Sequence, residues 1–378
     1  MKSENKKNIV ILTHKFLNED GSDFAIGGVE TIANIISHNL SNSYNVIILQ
    51  LSSVYFEKQI EGKMIYGYND ISKLKKKYQS LLDDVDLSLF LTYEWAKWIK
   101  KEKSIVFQHG IEFDGFYSRY SGFKLILHKL YYKLNHFNYL YNTHKVLNRA
   151  SRIICVDLNF INYVRATFQF SRWNHKLCYI PNFSDVIDKK EIQNKIENQN
   201  NNGTVKVIIP RRFEEHRGVL LFAKVVKKLV SEYSNIQFSF VGDGSQKELL
   251  MQHIDDLENC FIKRVPYKEM ISEYVKSDIC VIPTLWSEGT SLACIEGLAY
   301  GSCILTTNVG GLGNLILPNY NGYIVSPTEE ELYKGMKFLI ENVDIRKKYI
   351  QNGYLVAKQS FSKEIWLSKI NSVINDLM

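Results

Sequence analysis

No two cysteines in this 378-residue chain form a CxxC pair, and the six present (Cys155, Cys178, Cys260, Cys280, Cys294 and Cys303) lie far apart, mostly inside apolar runs such as Ile279-Cys280-Val281-Ile282. That spacing argues against a disulfide framework and a zinc site, and reads as free thiols buried in a reducing compartment. Long hydrophobic runs are lacking too. The segment Met1 to Asn8 leads into only the short apolar stretch Ile9 to Thr13, too brief for a signal-peptide core or a membrane span, so the expected location is cytoplasmic. Short internal repeats are also missing, which sets aside solenoids. What remains, 45% hydrophobic and 23% charged residues over this length, suits a globular protein of two domains.

The formal net charge of +7 is unevenly placed: residues 1 to 190 carry 26 Lys and Arg against 18 Asp and Glu, and the remainder 21 against 22. Between Lys97 and Arg152 eleven basic residues face only Glu102, Glu112 and Asp114, and Tyr131, Tyr132, Phe137, Tyr139 and Tyr141 lie close together. Two readings stand. The segment is either a surface touching anionic membrane lipid or another polyanion, or a solvated helix pair packing its tyrosines into the core. No folded nucleic-acid reader motif accompanies the charge, so nucleic acid is not an expected partner.

Apolar runs recur at Ile9–Leu12, Val46–Leu51, Leu87–Leu91, Ile105–Phe107, Ile153–Val156, Val205–Ile209, Gln237–Val241, Ile279–Ile282 and Ser302–Leu305, with helical segments between them. Short continuous apolar strands alternating with helices predict an α/β protein with parallel sheets covered on both faces. The Asn-rich stretch 191–203 reads as an exposed linker between a first doubly wound domain (1–190) and a second (204–361). Residues 362–378 have Ile365, Trp366, Ile370, Val373 and Ile374 at helical spacing and predict a closing helix that packs back on the first domain. A ligand belongs in the crevice facing the carboxyl ends of both sheets.

Four loops could carry chemistry there. Gly27 and Gly28 precede a helical run and could let backbone N–H groups approach an anion, or could simply make a turn. His109 ends a strand, where it could steady a sugar or phosphate, or cap its loop. Arg212 and Arg217, five apart after the strand ending at Pro210, suit a diphosphate, or form a mixed-charge loop with Glu214 and Glu215. Glu288-Gly289-Thr290-Ser291-Leu292 leads into a helix bearing Glu296, with Thr290 or Ser291 as its cap, so two carboxylates flank free helix N–H groups. Gly310-Gly311 offers a further loop at the same edge. Asp84-Val85-Asp86 matches a metal-binding DxD, but it precedes a strand instead of ending one and reads as structural. Val241-Gly242-Asp243-Gly244 lacks the third glycine of a dinucleotide turn.

Taken in order, these motifs, with Ile180-Pro181-Asn182-Phe183-Ser184-Asp185, resemble over nearly the whole length the retaining, nucleotide-sugar-dependent glycosyltransferases of family 4. The resemblance implies the GT-B fold, two Rossmann-like domains facing a cleft. It implies Arg212 and Arg217 on the donor diphosphate, with Gly27 and Gly28 near the phosphate and acceptor. It places Glu296 on the ribose, Glu288 and His109 as the catalytic residues at the donor sugar, and Gly289, Thr290, Ser291 and Leu292 in the donor loop. No metal or other cofactor is implied beyond the nucleoside-diphosphate sugar as co-substrate. The expected reaction is sugar transfer, with retention, to a hydroxyl of a glycan or lipid-linked oligosaccharide in surface polysaccharide synthesis (capsule, O-antigen or exopolysaccharide). Peripheral contact with the inner face of an anionic membrane fits that setting. Rival readings are a nucleotide-sugar epimerase of the same architecture and a non-catalytic sugar-nucleotide-binding scaffold. The chain departs from the family pattern at Arg211 (usually Gly), Arg217 (Lys), Phe183 (Gly), Asp157 (Ser) and Asn314 (Glu).

Overall fold

The computed structural model describes residues 6–25, 27–100, 102–110, 122–168, 171–199, 203–286 and 288–378; residues 200–202 of the expected linker, residues 111–121 of the basic aromatic segment and Ser287 lie outside that set. The first sheet comprises β1 (Asn8–Thr13), β2 (Asn45–Leu51), β3 (Phe56–Ile60), β4 (Lys63–Tyr68), β5 (Leu87–Phe90), β6 (Ser104–Gln108), β7 (Arg152–Cys155) and β8 (Leu177–Tyr179). Its order is β3-β4-β2-β1-β5-β6-β7-β8, parallel throughout except for the antiparallel β3–β4 pair. Helices α1 (Gly28–Ser41), α2 (Ile71–Leu81), α3 (Gly122–Arg149) and α4 (Leu158–Phe168) belong to this half, and α5 (Lys189–Glu197) leads out of it.

The second sheet, β9 (Val205–Pro210), β10 (Ile236–Val241), β11 (Cys260–Lys263), β12 (Ile279–Ile282), β13 (Cys303–Thr307) and β14 (Tyr323–Val325), is parallel in the order β11-β10-β9-β12-β13-β14. Helices α6 (Val219–Glu232), α7 (Lys247–Ile254), α8 (Tyr267–Lys276), α9 (Leu292–Ala299), α10 (Glu329–Glu341), α11 (Val343–Ser360) and α12 (Lys363–Asn375) complete the chain. Every residue of β5, β6, β12 and β13 is buried, as central strands with helices on both faces require. Local signals start the helices: the Asp70 carboxylate accepts from the N–H groups of Ser72 and Lys73 at the head of α2, and Thr328 does the same for Glu331 in α10.

Part of the stretch read as an exposed linker is helical. Ile192 is buried on α5 and Ile196, one turn on, packs against the second core, so this short apolar pair holds the helix to the second domain. The terminal helix α12 crosses back: Trp366, Ile370, Val373 and Ile374 enter the core of the first domain. Phe183 lies there against Trp366, ring centroids 4.4 Å apart, which accounts for a bulky residue in a turn where the resembled family has glycine.

Strand order reverses beside β1, which lies between β2 and β5, and beside β9, which lies between β10 and β12. Loops leaving the carboxyl ends of strands at such points diverge to opposite faces of the sheet and open a crevice.

Candidate active site

The chemical residues sit on those loops. The loop after β1 ends in Gly27 and Gly28 at the start of α1, β6 runs into His109, β9 into Arg211, Arg212 and Arg217, and β12 into Glu288 and α9. The two domains meet here. The Thr290 hydroxyl donates to the Val156 carbonyl, the Asn182 side-chain amide to the Thr290 carbonyl (3.0 Å), and the Leu158 N–H to Asn314 Oδ1 (3.0 Å). Asn314 is therefore an interdomain clasp at the head of α4. Asp157, one residue earlier, is buried and its Oδ1 accepts from the Phe160 N–H (3.1 Å).

Glycines permit this approach and the tight loop packing behind it. A Cβ on Gly289 would collide with the His109 carbonyl, and Gly310 takes a left-handed φ of 53° with its Cα against the Glu288 backbone. Gly311 N–H then donates to the Glu288 carbonyl at 2.8 Å, while Gly28 faces Leu292 across the seam.

Glu288 is 9% exposed, and its Oε2 accepts from Arg211, from Arg217 (2.5 Å) and from the Thr284 hydroxyl (3.0 Å). Burial opposes ionisation of this carboxyl, but the two guanidinium charges and their hydrogen bonds outweigh it and hold the pKa below the ordinary glutamate value. Arg211 also donates to Thr284 Oγ1 (2.7 Å) and to Ser291 Oγ (3.3 Å). Ser291 occupies the N-cap position of α9, yet its hydroxyl makes no cap hydrogen bond, because Arg211 engages it instead. Arg212 points the other way and is exposed.

His109 Nε2 lies 3.1 Å from the Leu91 carbonyl. Burial lowers its pKa, only partly offset by that hydrogen bond, so at neutral pH the ring is neutral, donates from Nε2 and presents Nδ1 as an acceptor. On α9, Glu296 receives a hydrogen bond of 2.8 Å from the hydroxyl of Tyr274, which is fully buried in α8.

The arrangement gathers two arginine charges around one carboxylate before the N-terminus of α9, with the exposed Arg212 on the same loop as both, so cations and helix N–H groups stand together at this sheet edge. Of the residues singled out from the sequence, Arg217 bonds Glu288 directly and Ser291 joins them through Arg211, while Gly289, Thr290 and Leu292 form the seam on which His109, Val156 and Gly28 of the other domain pack. Three partners were missed. Arg211 stands in the sequence only as a substitute for the glycine of the resembled family, and Thr284 and Tyr274 lie in segments whose sequence marks them as strand end and helix core. The other motifs serve structure: Asp86 accepts from the Asn8 N–H (2.8 Å) and the Asp84 carbonyl from the Asn8 side chain (2.8 Å), at the end of the sheet away from the crevice. Gly242 and Asp243 brace the arginine loop, the Asp243 carbonyl accepting from Phe213 N–H (2.9 Å). Among the described residues no three His, Cys, Asp or Glu side chains cluster as a metal site would.

The backbone superposes on that of HepE from Anabaena, solved in complex with UDP and glucose, with a TM-score of 0.71 over 98% of this chain and 100% of that one, at 13% identity. The fold is GT-B. The second GT-B domain also carries a sequence match, residues 189–356 fitting the family described as Glycosyl transferases group 1. Among curated relatives, an uncharacterized glycosyltransferase of Methanocaldococcus jannaschii is 28% identical over 47% of this chain and 52% of its own length. The UDP-Gal:alpha-D-GlcNAc-diphosphoundecaprenol alpha-1,3-galactosyltransferase of Escherichia coli is 26% identical over 40% of this chain and 41% of its own. The chain thus spans about half the length of the curated relatives it matches.

Proposed function

We propose that this GT-B protein is a retaining, metal-independent glycosyltransferase that moves a sugar from a nucleoside-diphosphate sugar to a hydroxyl of a glycan or lipid-linked glycan in surface polysaccharide synthesis, working at the cytoplasmic face. The observation that carries the reading is the Arg211–Glu288–Arg217 cluster at the carboxyl edge of the second sheet, with His109 of the first domain packed against its glycine loop. A departing diphosphate needs cations in place before its charge develops. Arg217 and the exposed Arg212 sit on one loop to supply them, and the α9 N-terminus adds its dipole. Glu296, oriented by Tyr274, suits a pair of ribose hydroxyls. Arg217 turning to phosphate would leave Glu288, ionised and still held by Arg211, to accept from a sugar hydroxyl. In the transfer, the bond from the anomeric carbon to the diphosphate oxygen breaks and the acceptor oxygen bonds that carbon on the same face. The acceptor proton passes to the leaving phosphate oxygen.

The UDP held by the Anabaena structure and the lipid-diphosphate acceptor named for the Escherichia coli relative support the same classes of donor and acceptor here. The test is thermal denaturation with a panel of nucleoside diphosphates and their sugars. One base family should stabilise the wild type, by about 2.7 kcal/mol at a hundredfold excess over Kd, and the effect should vanish in Arg212→Ala/Arg217→Ala. No stabilisation of the wild type by any nucleotide at millimolar concentration overturns the donor site.

A further inference from the structure

Helix α3 is apolar on two opposite faces. Its inner face is anchored: Leu125, Tyr132 and Tyr139 are half-buried and Thr143, Val146 and Leu147 fully so. The Tyr139 ring faces that of Tyr93 (centroids 6.5 Å apart), and its hydroxyl accepts from Gln108 Nε2 (3.3 Å), the residue immediately before His109. The outer face carries Phe123, Leu127, Leu130, Leu134, Phe137 and Tyr141, each between 50% and 73% exposed. These recur every three or four residues and form one continuous stripe about 27 Å long at 1.5 Å per residue. Burying such a stripe is what an amphipathic helix needs, and each of its side chains is at least half exposed among the described residues. Among the described residues no helix is long and apolar enough to cross a membrane.

Charge identifies the occupant. Gly122–Arg149 holds Lys124, Lys129, Lys133, Lys145 and Arg149 and not one Asp or Glu. At about 3.6 residues per turn, Lys124 and Lys133 fall on opposite flanks of the stripe, where their stems can run along apolar surface and place the ammonium groups at phosphate level. A second copy of the helix would bring the same cations against these with no acid on either side. A surface of anionic lipid headgroups takes all of them while accepting the apolar stripe.

We propose that the outer face of α3 lies in the headgroup layer of an anionic membrane and so holds the His109 side of the cleft at the lipid surface, where an acceptor on a lipid carrier is presented. This deepens the acceptor reading above and rests on it. The experiment is vesicle flotation of the full chain with phosphatidylcholine alone and with phosphatidylglycerol mixed in, at low and high salt. The variants Leu130→Glu/Leu134→Glu and Lys124→Ala/Lys129→Ala/Lys133→Ala are floated beside the wild type. All five positions are on the exposed side, so folding is not at stake. The wild type should bind the anionic vesicles only, and more weakly in high salt. Each lysine near such a surface is worth somewhat under a factor of ten, so the triple variant should bind on the order of a hundredfold more weakly. Absence of vesicle binding, unchanged binding in both variants, or a lipid-independent dimer that Leu130→Glu/Leu134→Glu dissociates would each overturn the proposal. Nucleotide stabilisation of the same variants separates the two readings. If it persists without vesicle binding, only the docking fails; vesicle binding without nucleotide stabilisation removes the donor site alone.

Discussion

Arg211 and Arg212 are adjacent and have opposite surroundings. As β9 ends, successive side chains still alternate, so Arg211 turns into the protein, Arg212 out to solvent and Phe213 back into the core. The sequence shows two arginines after a strand and no reason to prefer the first, because its partner Glu288 is 77 residues away. The site was therefore readable as a set of charged loops at one sheet edge, but not as a pairing. Removing one member of a buried ion cluster leaves the other charge desolvated. Arg211→Ala should cost about 3 kcal/mol in urea unfolding at neutral pH, the low end of such losses because Arg217 still faces Glu288. The pH dependence has a definite sign. The Glu288 pKa is depressed on folding, so its pairing stabilises the fold above the ordinary value of 4.5 and the contribution disappears as pH falls through the folded value. The gap between wild type and Arg211→Ala should narrow on acidification below that point. A gap that is constant with pH would mean that Arg211 acts through packing alone.

At the scale of elements, the strands buried on both faces were all readable from their apolar runs, since a central parallel strand has no polar face. Those that were missed, β3, β4, β8, β11 and β14, are short or lie toward the sheet edges. β4 buries only alternate residues, and β3 exposes Glu57, Lys58 and Gln59, so neither shows a continuous run. Helix α5 was hidden by its Asn-rich continuation and is held by a contact that sequence does not display. The Lys195 ammonium donates to the carbonyls of Tyr274 (2.9 Å) and Tyr300 (3.2 Å), at the carboxyl ends of α8 and α9, where the helix dipoles favour a cation. Burial nevertheless dominates and pushes the Lys195 pKa down to about 7 from 10.5. Between those two values the unfolded chain binds the proton that the folded chain has lost, so Lys195 makes stability rise with pH across that window and contributes no slope below it. In Lys195→Met this rise should vanish. Relative to the variant, the wild type should gain at most about 1.4 kcal/mol per pH unit above pH 7 in chemical denaturation. Parallel stability curves for the two proteins over that range would show that the amine stays charged in its carbonyl pair.

The whole molecule is two domains joined at a glycine-lined seam and by a chain that crosses twice, once through α5 and once where Ser184 N–H donates to the Phe361 carbonyl (2.9 Å) just before α12. That second crossing makes the first domain depend on the last residues of the chain. Trp366 is 3% exposed and fills a place in the first core beside Phe183, while the second core is built from β9–β14 and their helices without it. Trp366→Ala removes a large buried ring and should cost about 3 to 5 kcal/mol, all of it in the first domain. Scanning calorimetry with and without the nucleoside diphosphate that binds tells the domains apart, because on the proposed donor site the ligand stabilises the second domain, which holds Arg217 and Glu296. The transition that the nucleotide does not shift should fall in Trp366→Ala, and the one it raises should stay within a degree or two of wild type. If instead a single transition moves as one in both experiments, the seam contacts at Thr290, Asn182 and Asn314 couple the domains into one cooperative unit. The closing helix would then stabilise the second domain as much as the first, on which it packs.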